Sequence, residues 1–290
     1  MFPATFDYHA PATLAEALTL LGQGGDGDVK ALAGGQSLLP LMKLRLAEPA
    51  TLIDLRNVAE LKGIRSDGSG VILGAMTTYF QTIDSPLVQQ KTPLIVDALR
   101  QVGDPQVRAR GTIGGSLAHA DPAGDLPAVA LALNARMHVV GPRGERDVSA
   151  RDFFVDMLTT ALEPSELLAS VRFEGTDTPR TGVAYVKHRH PASGYAVVGV
   201  AAVVMLDEQG NCVEARVGVT GAGSHATRAT AVEQALSGKP FAATVAEASA
   251  HAANGLDLLS DTYASAEYRA HLTRVLTLRA LNAAAEHARG

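Results

Sequence analysis

One cysteine, no tryptophan and an aromatic content of 4% are the scarcest features of this 290-residue chain. With Cys212 alone, a disulfide framework, a cysteine-ligated zinc site and an iron–sulfur cluster are excluded, because each needs several thiolates. Redox work would have to use an organic cofactor or a metal carried by another chain. A basic block is also missing. The 25 Lys and Arg residues against 30 Asp and Glu leave a net charge of −5, without the electrostatic footprint that nucleic acid or an anionic membrane surface demands. The longer apolar runs, such as Ala196 to Leu206, are too short to span a bilayer, and the opening MFPATFDYHAPATLAEAL has no positive segment ahead of an apolar core. The expectation is a cytoplasmic protein with no membrane span. What is plentiful is apolar side chains, 47%, and glycine, 28 residues, in the proportions of a globular chain of one large or two medium domains.

Thr13 followed by Glu16 is a capping-box pattern ahead of Leu14, Ala17, Leu18 and Leu21, so a short amphipathic helix is predicted, ended by Gly22 and the GQGGDGD stretch. VKALAGG then reads as a buried strand, LLPLMKLRL as a helix and ATLIDL as a second strand, in the order of a βαβ unit. From Leu61 onward the pattern is of hairpins, one turning at Asp67-Gly68-Ser69-Gly70 and one at Pro142-Arg143-Gly144. Two helices, near TPLIVDALRQVG and DLPAVALALN, bracket PQVRARGTIGGSLAHADPAGD, which has neither helical nor strand periodicity and reads as a long irregular loop. DFFVDMLTTAL is predicted to be a helix leading into ELLASVRFEG. The polar segment GTDTPR at 175–180 is the best boundary, dividing residues 1–175 from 178–290. Beyond it, GVAYVKHRHP, YAVVGVAAVVML and CVEARVGVTG precede three helical patterns, the last from about Ser265 to the end. Strands followed by helices argue for an α+β layer with helices on one face of an antiparallel sheet.

The strongest local signal is a pair of di-glycine turns, Ala33-Gly34-Gly35-Gln36-Ser37 and Thr112-Ile113-Gly114-Gly115-Ser116. Paired glycines permit positive φ and let successive N–H groups converge on an anion, so two such nests could hold a diphosphate. The first precedes a predicted helix, whose dipole favours phosphate. Either turn alone could equally be a tight bend. Asp121 and Asp125 follow the second turn, where carboxylates could accept hydrogen bonds from sugar hydroxyls. Asp121 could equally form a turn before Pro122, and Asp125 could cap the helix that follows.

These residues resemble the flavin-binding subunit of the molybdenum hydroxylases, the xanthine dehydrogenase family, over essentially the whole chain. The likeness rests on FDYHAPATLAEAL, AGGQSLLPLMKLRL, LIDLRNVAEL, ILGAMTT, GTIGGSLAHADPAGDLPA, AYVKHRHPASGYAVVGVAA and VGVTGAG. It implies a two-subdomain FAD-binding domain, of the fold shared with vanillyl-alcohol oxidase and p-cresol methylhydroxylase, followed by a smaller C-terminal domain. It places Ala33, Gly34, Gly35, Gln36, Ser37 and Leu38 along the diphosphate and toward the flavin ring, with Thr112, Gly114, Gly115 and Ser116 as a second wall. It implies that Asp125 contacts cofactor hydroxyls, that Lys187 is a basic group near the flavin and that Tyr195 is an aromatic in front of the ring. It further implies a large molybdopterin-binding partner and a small [2Fe–2S] partner, assembled as a dimer of heterotrimers, with the molybdenum cofactor and the clusters on those partners only. The chain would take electrons from the clusters and hand them to an external acceptor.

Three positions depart from the pattern. Gln36 stands where related oxidases can carry a histidine, which implies non-covalent FAD. Gly194 replaces a residue often acidic in the family, and Ser116 stands where some members have Asn. The benzoyl-CoA-reducing branch, which adds an iron–sulfur insert, is excluded by the single cysteine.

Other signals carry less. Gly221-x-Gly223-x-x-Ala226 imitates a dinucleotide fingerprint but lacks the second parallel strand and terminal acidic residue of a Rossmann unit. His188 and His190 share one strand face without an identifiable third ligand, so no metal site is expected. Arg108 and Arg110 could meet phosphate or a partner carboxylate, or equally lie at the surface. Two rival functions stand beside the main one: a self-contained flavin oxidase or dehydrogenase acting on a small organic substrate, and a structural subunit that has lost its flavin.

Overall fold

The computed structural model describes residues 2–24 and 28–290, so part of the glycine-rich stretch predicted to end the first helix lies outside the described residues. The chain begins with β1 (Asp7–His9), α1 (Leu14–Leu21), β2 (Val29–Leu32), α2 (Leu38–Lys43) and β3 (Thr51–Asp54). The three strands form a parallel sheet in the order β1-β3-β2. The βαβ unit is therefore present, with an edge strand, β1, that its three exposed residues did not signal. Thr13 caps α1 by accepting the Glu16 amide at 3.2 Å. The second helix is shorter than LLPLMKLRL, because Arg45 takes a left-handed conformation at φ +56°.

A hairpin of β4 (Ile64–Asp67) and β5 (Gly70–Gly74) follows, then α3 (Tyr79–Asp84), α4 (Pro86–Lys91), α5 (Pro93–Leu99), α6 (Pro105–Arg110), α7 (Ile113–His119) and α8 (Asp125–Ala132). The segment expected to be an irregular loop thus holds two short helices. Each is nucleated by its cap: Asp104 accepts the Val107 amide with Pro105 at the first helical position, and Thr112 accepts the Gly115 amide. Next come β6 (Arg136–Gly141), β7 (Gly144–Ser149), α9 (Ala150–Phe153), β8 (Phe154–Asp156), β9 (Thr159–Thr160) and β10 (Leu167–Glu174). The predicted DFFVDMLTTAL helix is one turn followed by the β8–β9 hairpin, with Leu158 at φ +53° in its bend. Only Phe153 and Phe154 of that stretch are buried, stacked edge to face, so no apolar stripe of helical period stabilises a longer helix. The five-stranded sheet is antiparallel throughout, in the order β4-β5-β10-β6-β7.

The C-terminal part is an antiparallel sheet of β11 (Thr181–Arg189), β12 (Ala196–Leu206), β13 (Cys212–Thr220) and β14 (Thr227–Arg228), followed by α10 (Thr230–Leu236), α11 (Phe241–Ser249) and α12 (Ala266–Arg289). Its own helices cover one face, against Ala184, Val198, Val200, Ala202 and Val204. The other face, with Val183, Tyr185, Ala201 and Val203, belongs to the core of the N-terminal domain. Burial on both faces is why β12 is almost continuously apolar instead of alternating. Among the described residues no helix is long and apolar enough to cross a membrane.

Helix α8 lies on the inner face of this sheet. A Cβ at Gly218 would sit 2.1 Å from the Ala128 carbonyl oxygen, so the strand and helix backbones touch there. Replacing Gly218 by alanine is expected to lower unfolding free energy by about 1–3 kcal/mol, the cost of overpacking a tight contact. Equilibrium denaturation, followed by far-UV circular dichroism, measures it as a lower midpoint at an unchanged slope.

Candidate cofactor site

The two glycine motifs, some eighty positions apart, meet in space. A Cβ on Gly34 would lie 2.2 Å from the Arg110 carbonyl oxygen and 2.9 Å from the Gly111 Cα, and one on Gly115 would lie 3.2 Å from the Ala33 Cβ. The turn after β2 is therefore pressed against the entry to α7. The two pairs do different physical work. Gly35 has φ +75°, the conformation that glycine alone adopts without strain. The N–H groups of Gly34, Gly35, Gln36 and Ser37 donate to no backbone acceptor among the described residues, and none of these residues is buried. This turn keeps unspent donors, as an anion site requires.

The second pair departs from the expected nest. Gly114 and Gly115 are helical, and the four amides around them are already engaged. Ile113 donates to Thr77 O, Gly114 to Ala75 O and Ser116 to Thr112 O, at 2.9–3.1 Å, while Gly115 donates to Thr112 Oγ1 at 3.1 Å. Their lack of side chains serves close approach: a Cβ on Gly114 would meet the Ala75 Cβ at 2.4 Å. Thr112 is buried and spends its hydroxyl on this cap. Only the first turn is a cradle of free amides. The second supplies the wall against which it rests.

Tyr195 joins this region from the C-terminal domain. It is held in the loop 190–195, 43% exposed, with its hydroxyl in the neighbourhood of Ser37, whose side chain leaves α2 uncapped. Partial burial raises the Tyr195 pKa, the charges of Asp121 and Asp125 raise it further, and the nearby Ser37 hydroxyl opposes them. Ser116 lies near the hydroxyl of Tyr79, a buried residue whose pKa is pushed up to about 12 chiefly by desolvation, with Ser116 opposing. Tyr195, Ser37, Asp121, Asp125, Tyr79 and Ser116 therefore share one neighbourhood. Asp121 Oδ1 accepts the Ala123 amide at 2.8 Å, the turn-forming role. Leu38 begins α2 and is partly exposed beside the free amides.

Asp125 is the first residue of α8, one position inside the cap expected for it, and Gly124 occupies the N-cap. The displaced carboxylate turns toward the other domain. Lys187 Nζ donates to Asp125 Oδ1 at 2.9 Å, to Oδ2 at 3.0 Å and to the Gly194 carbonyl at 3.0 Å, and the side chains are 1% and 5% exposed. The Tyr185 hydroxyl donates to Oδ1 as well. Burial pushes the Asp125 carboxyl up, while Lys187 and then Tyr185 pull it back. Tyr185 is driven well above the ordinary tyrosine value by burial first and the Asp125 charge second. The expected basic group near a flavin is thus a buried cation with a carboxylate partner. Tyr185, which sequence reasoning missed, lies two residues from Lys187 on the same strand face, and strand period alone would have paired them.

The segment around Asp125 is stitched to the second domain at further points. The one proton of the Thr220 hydroxyl is shared between Pro122 O at 2.8 Å and Gly124 O at 2.7 Å, the Gly221 amide donates to Pro122 O at 2.7 Å, and the Ala196 amide to Ala123 O at 3.2 Å. Gly221, the start of the false dinucleotide fingerprint, is a structural turn at φ +80°. Arg108 is held by the Val102 and Gly103 carbonyls. His188 and His190 lie against Tyr268 and Tyr263, and no group of three metal-ligating side chains exists among the described residues.

A glycine-shaped turn with free amides behind a parallel strand, faced by an aromatic residue from a second α+β domain, defines a nucleotide-binding chain of the two-domain flavoprotein class. The chain belongs to the family of FAD-binding domains of molybdopterin dehydrogenases, which matches residues 4–173, and the CO dehydrogenase flavoprotein C-terminal domain matches residues 183–284. It is 41% identical over 286 residues to the carbon monoxide dehydrogenase medium chain of Hydrogenophaga pseudoflava, covering 98% of each chain. It is 38% identical over 291 residues to the 6-hydroxypseudooxynicotine dehydrogenase complex subunit alpha of Paenarthrobacter nicotinovorans, covering 100% of this chain and 97% of that one. Its fold superimposes with a TM-score of 0.95 on a chain of the Hydrogenophaga pseudoflava carbon monoxide dehydrogenase structure that lacks the Mo-pyranopterin moiety of the molybdenum cofactor, at 42% identity and 99% coverage of both. The protein is an FAD-binding oxidoreductase subunit of the xanthine dehydrogenase family.

Truncating Asp125 to alanine would leave the Lys187 ammonium buried without its counter-charge. A loss of about 3–5 kcal/mol of stability is expected. Replacing both partners by apolar residues, Asp125→Leu with Lys187→Met, is expected to recover part of it. Denaturant titration of Asp125→Leu, Lys187→Met and the double variant measures the coupling.

Proposed function

We propose that this chain holds FAD non-covalently between its two domains, residues 1–175 and 178–290, and passes electrons from a [2Fe–2S] partner to an external acceptor. The observation that carries the reading is the set of free N–H groups at Gly34 to Ser37, faced by Tyr195 from the opposite domain. Bound FAD supplies the chemistry of taking electrons singly and releasing them in pairs. The chain's own residues bind and orient. The amides from Gly34 to Ser37 present neutral dipoles to the two negative charges of the diphosphate, where preorganised donors need no reorganisation. Ala33 and Leu38 flank them, and Thr112, Gly114, Gly115 and Ser116 form the wall that keeps this turn in place. Asp121 offers a carboxylate oxygen to hydroxyl donors. Tyr195 faces this turn from the C-terminal domain, and its hydroxyl is protonated at neutral pH, as tyrosine ordinarily is, with partial burial pushing its pKa further up.

The relatives named medium chain and complex subunit support a place in a larger assembly. In this reading a large molybdopterin-binding partner oxidises the substrate and a small [2Fe–2S] partner relays electrons, in a cytoplasmic dimer of heterotrimers. No metal cluster is expected on this chain, whose one cysteine is buried in the sheet.

The purified complex is expected to be yellow and to release all of its FAD on acid precipitation. Gly35→Val, which forces a β-branched residue to φ +75°, is expected to weaken FAD binding at least tenfold, about 1.4 kcal/mol, measured by flavin fluorescence titration. The purified chain, loaded with FAD and mixed with small alcohols or amines without partners, is expected to stay oxidised. Bleaching of the flavin under those conditions would establish the self-contained oxidase instead.

A further inference from the structure

Lysine carries three N–H donors and no acceptor. Those of Lys187 have three acceptors, the two Asp125 oxygens and the Gly194 carbonyl, and its side chain is 1% exposed. No donor is left over for a cofactor atom. The third acceptor is the informative one, because Gly194 immediately precedes Tyr195. The loop 190–195 is otherwise bonded mainly to itself: Gly194 N to His190 O at 2.9 Å, His190 N to Tyr195 O at 2.8 Å, and the Ala192 and Ser193 amides to His190 Nδ1 at 3.3 and 3.4 Å. Gly194 sits at φ +75°, and nothing lies within 4 Å of where its Cβ would be. The loop's ties to the N-terminal domain include the Ala196 amide on Ala123 O and the chain of contacts Asp125–Lys187–Gly194. Asp125 is fixed at the start of the eight-residue α8, where the helix dipole favours its charge, and by the Tyr185 hydroxyl.

We propose that Asp125 and Lys187 are positioning residues for the flavin site: the buried pair grips the Gly194 carbonyl and so sets the position of the adjoining Tyr195 ring. Lys187 thus acts on the flavin through Tyr195 and not as a cation beside it. The proposal rests on the reading that Tyr195 faces FAD, and it assigns to the pair a task separate from holding the domains together. Arg228 provides the contrast. It ties the same two domains at the opposite end of α8, through Leu131 O at 2.9 Å and Asn134 Oδ1 at 2.8 Å, and touches nothing in the loop.

The test uses the full complex carrying Lys187→Met, Arg228→Met, Tyr195→Ala and the double variant Lys187→Met with Tyr195→Ala. Two readouts are followed: amide hydrogen exchange across 191–196, and fluorescence of the bound flavin, which a neighbouring tyrosine quenches. Lys187→Met is expected to speed exchange at Ala192 to Tyr195 at least tenfold and to raise flavin fluorescence. Arg228→Met is expected to do neither, although it also loosens the domain contact. In the Tyr195→Ala background, Lys187→Met is expected to leave fluorescence unchanged. A further change in that background, or unaltered loop exchange in Lys187→Met, overturns the proposal. Should Lys187→Met not fold, Asp125→Asn removes the same attraction with nearly the same shape and is held to the same outcomes. If the wild-type chain binds no FAD, the functional reading fails by itself, and the exchange comparison still decides whether the pair holds the loop.

Discussion

Helix α8 is the element on which the arrangement of the two domains depends. All eight of its residues are buried, including the aspartate at its start, so it has no face to show to water. A helix apolar on every side is stable only when other elements surround it. The N-terminal domain supplies one side, and the antiparallel sheet of the C-terminal domain supplies another, close enough for Gly218 to touch its backbone. Both ends are also finished from across the boundary. Lys187 neutralises Asp125 at the N-terminus, and Arg228 reaches the Leu131 carbonyl near the C-terminus. There the helix closes with bonds from Asn134 N to Leu131 O and Ala135 N to Ala130 O, with Asn134 left-handed at φ +45°. Separating the domains would therefore expose an apolar helix and an unpaired ion at once.

The site region inherits its geometry from that contact. Pro122 and Gly124 offer their carbonyls to Thr220 and Gly221, so the turn before α8 is fixed by the second domain. Tyr195 comes back across the same boundary into the neighbourhood of Ser37. The two glycine pairs share the need for close approach, at Gly34 and at Gly114, and differ at Gly35. Gly35 uses the freedom of positive φ and leaves its neighbours' amides open. Gly114 and Gly115 forgo that freedom inside a helix, where glycine costs about 0.5–1 kcal/mol relative to alanine. The cost is offset because any Cβ at Gly114 would collide with Ala75 and hold the wall away from the cradle.

Much of this was legible from residue patterns, and the failures have definite causes. Hairpins at Gly68-Ser69 and Pro142-Arg143, the long C-terminal helix with Ser265 as its cap, and the three long strands of the second domain follow from local period and turn chemistry. The helices α6 and α7 escaped because each is too short for periodicity to register, though Asp104-Pro105 and Thr112 announce them as caps. The β8–β9 hairpin imitates a helix in sequence because two adjacent phenylalanines mimic part of an apolar stripe. The equivalence drawn between the two glycine pairs failed for a different reason. Whether a glycine is chosen for φ or for proximity depends on what lies opposite, Ala75 and Arg110 here, and no local window contains that information. Asp125 and Lys187 both stand out in the sequence as site residues, but their pairing spans 62 positions and a domain boundary.

That pairing also bears on why an ion pair is kept where burial makes it costly. Removing two charges from water costs several kcal/mol for each, and apolar replacements of matched volume often serve stability as well or better. The Asp125–Lys187 pair is therefore a poor device for stability alone. What an apolar pair could not reproduce is direction. An ammonium with three donors can satisfy both carboxylate oxygens and still present one N–H along a set line to a third acceptor. Here that acceptor is the carbonyl of the residue before Tyr195. A leucine or methionine in place of Lys187 would fill the space between α8 and β11 and leave the Gly194 carbonyl without this donor. The charges are thus better explained by the geometry they impose on one loop than by the free energy they add to the fold.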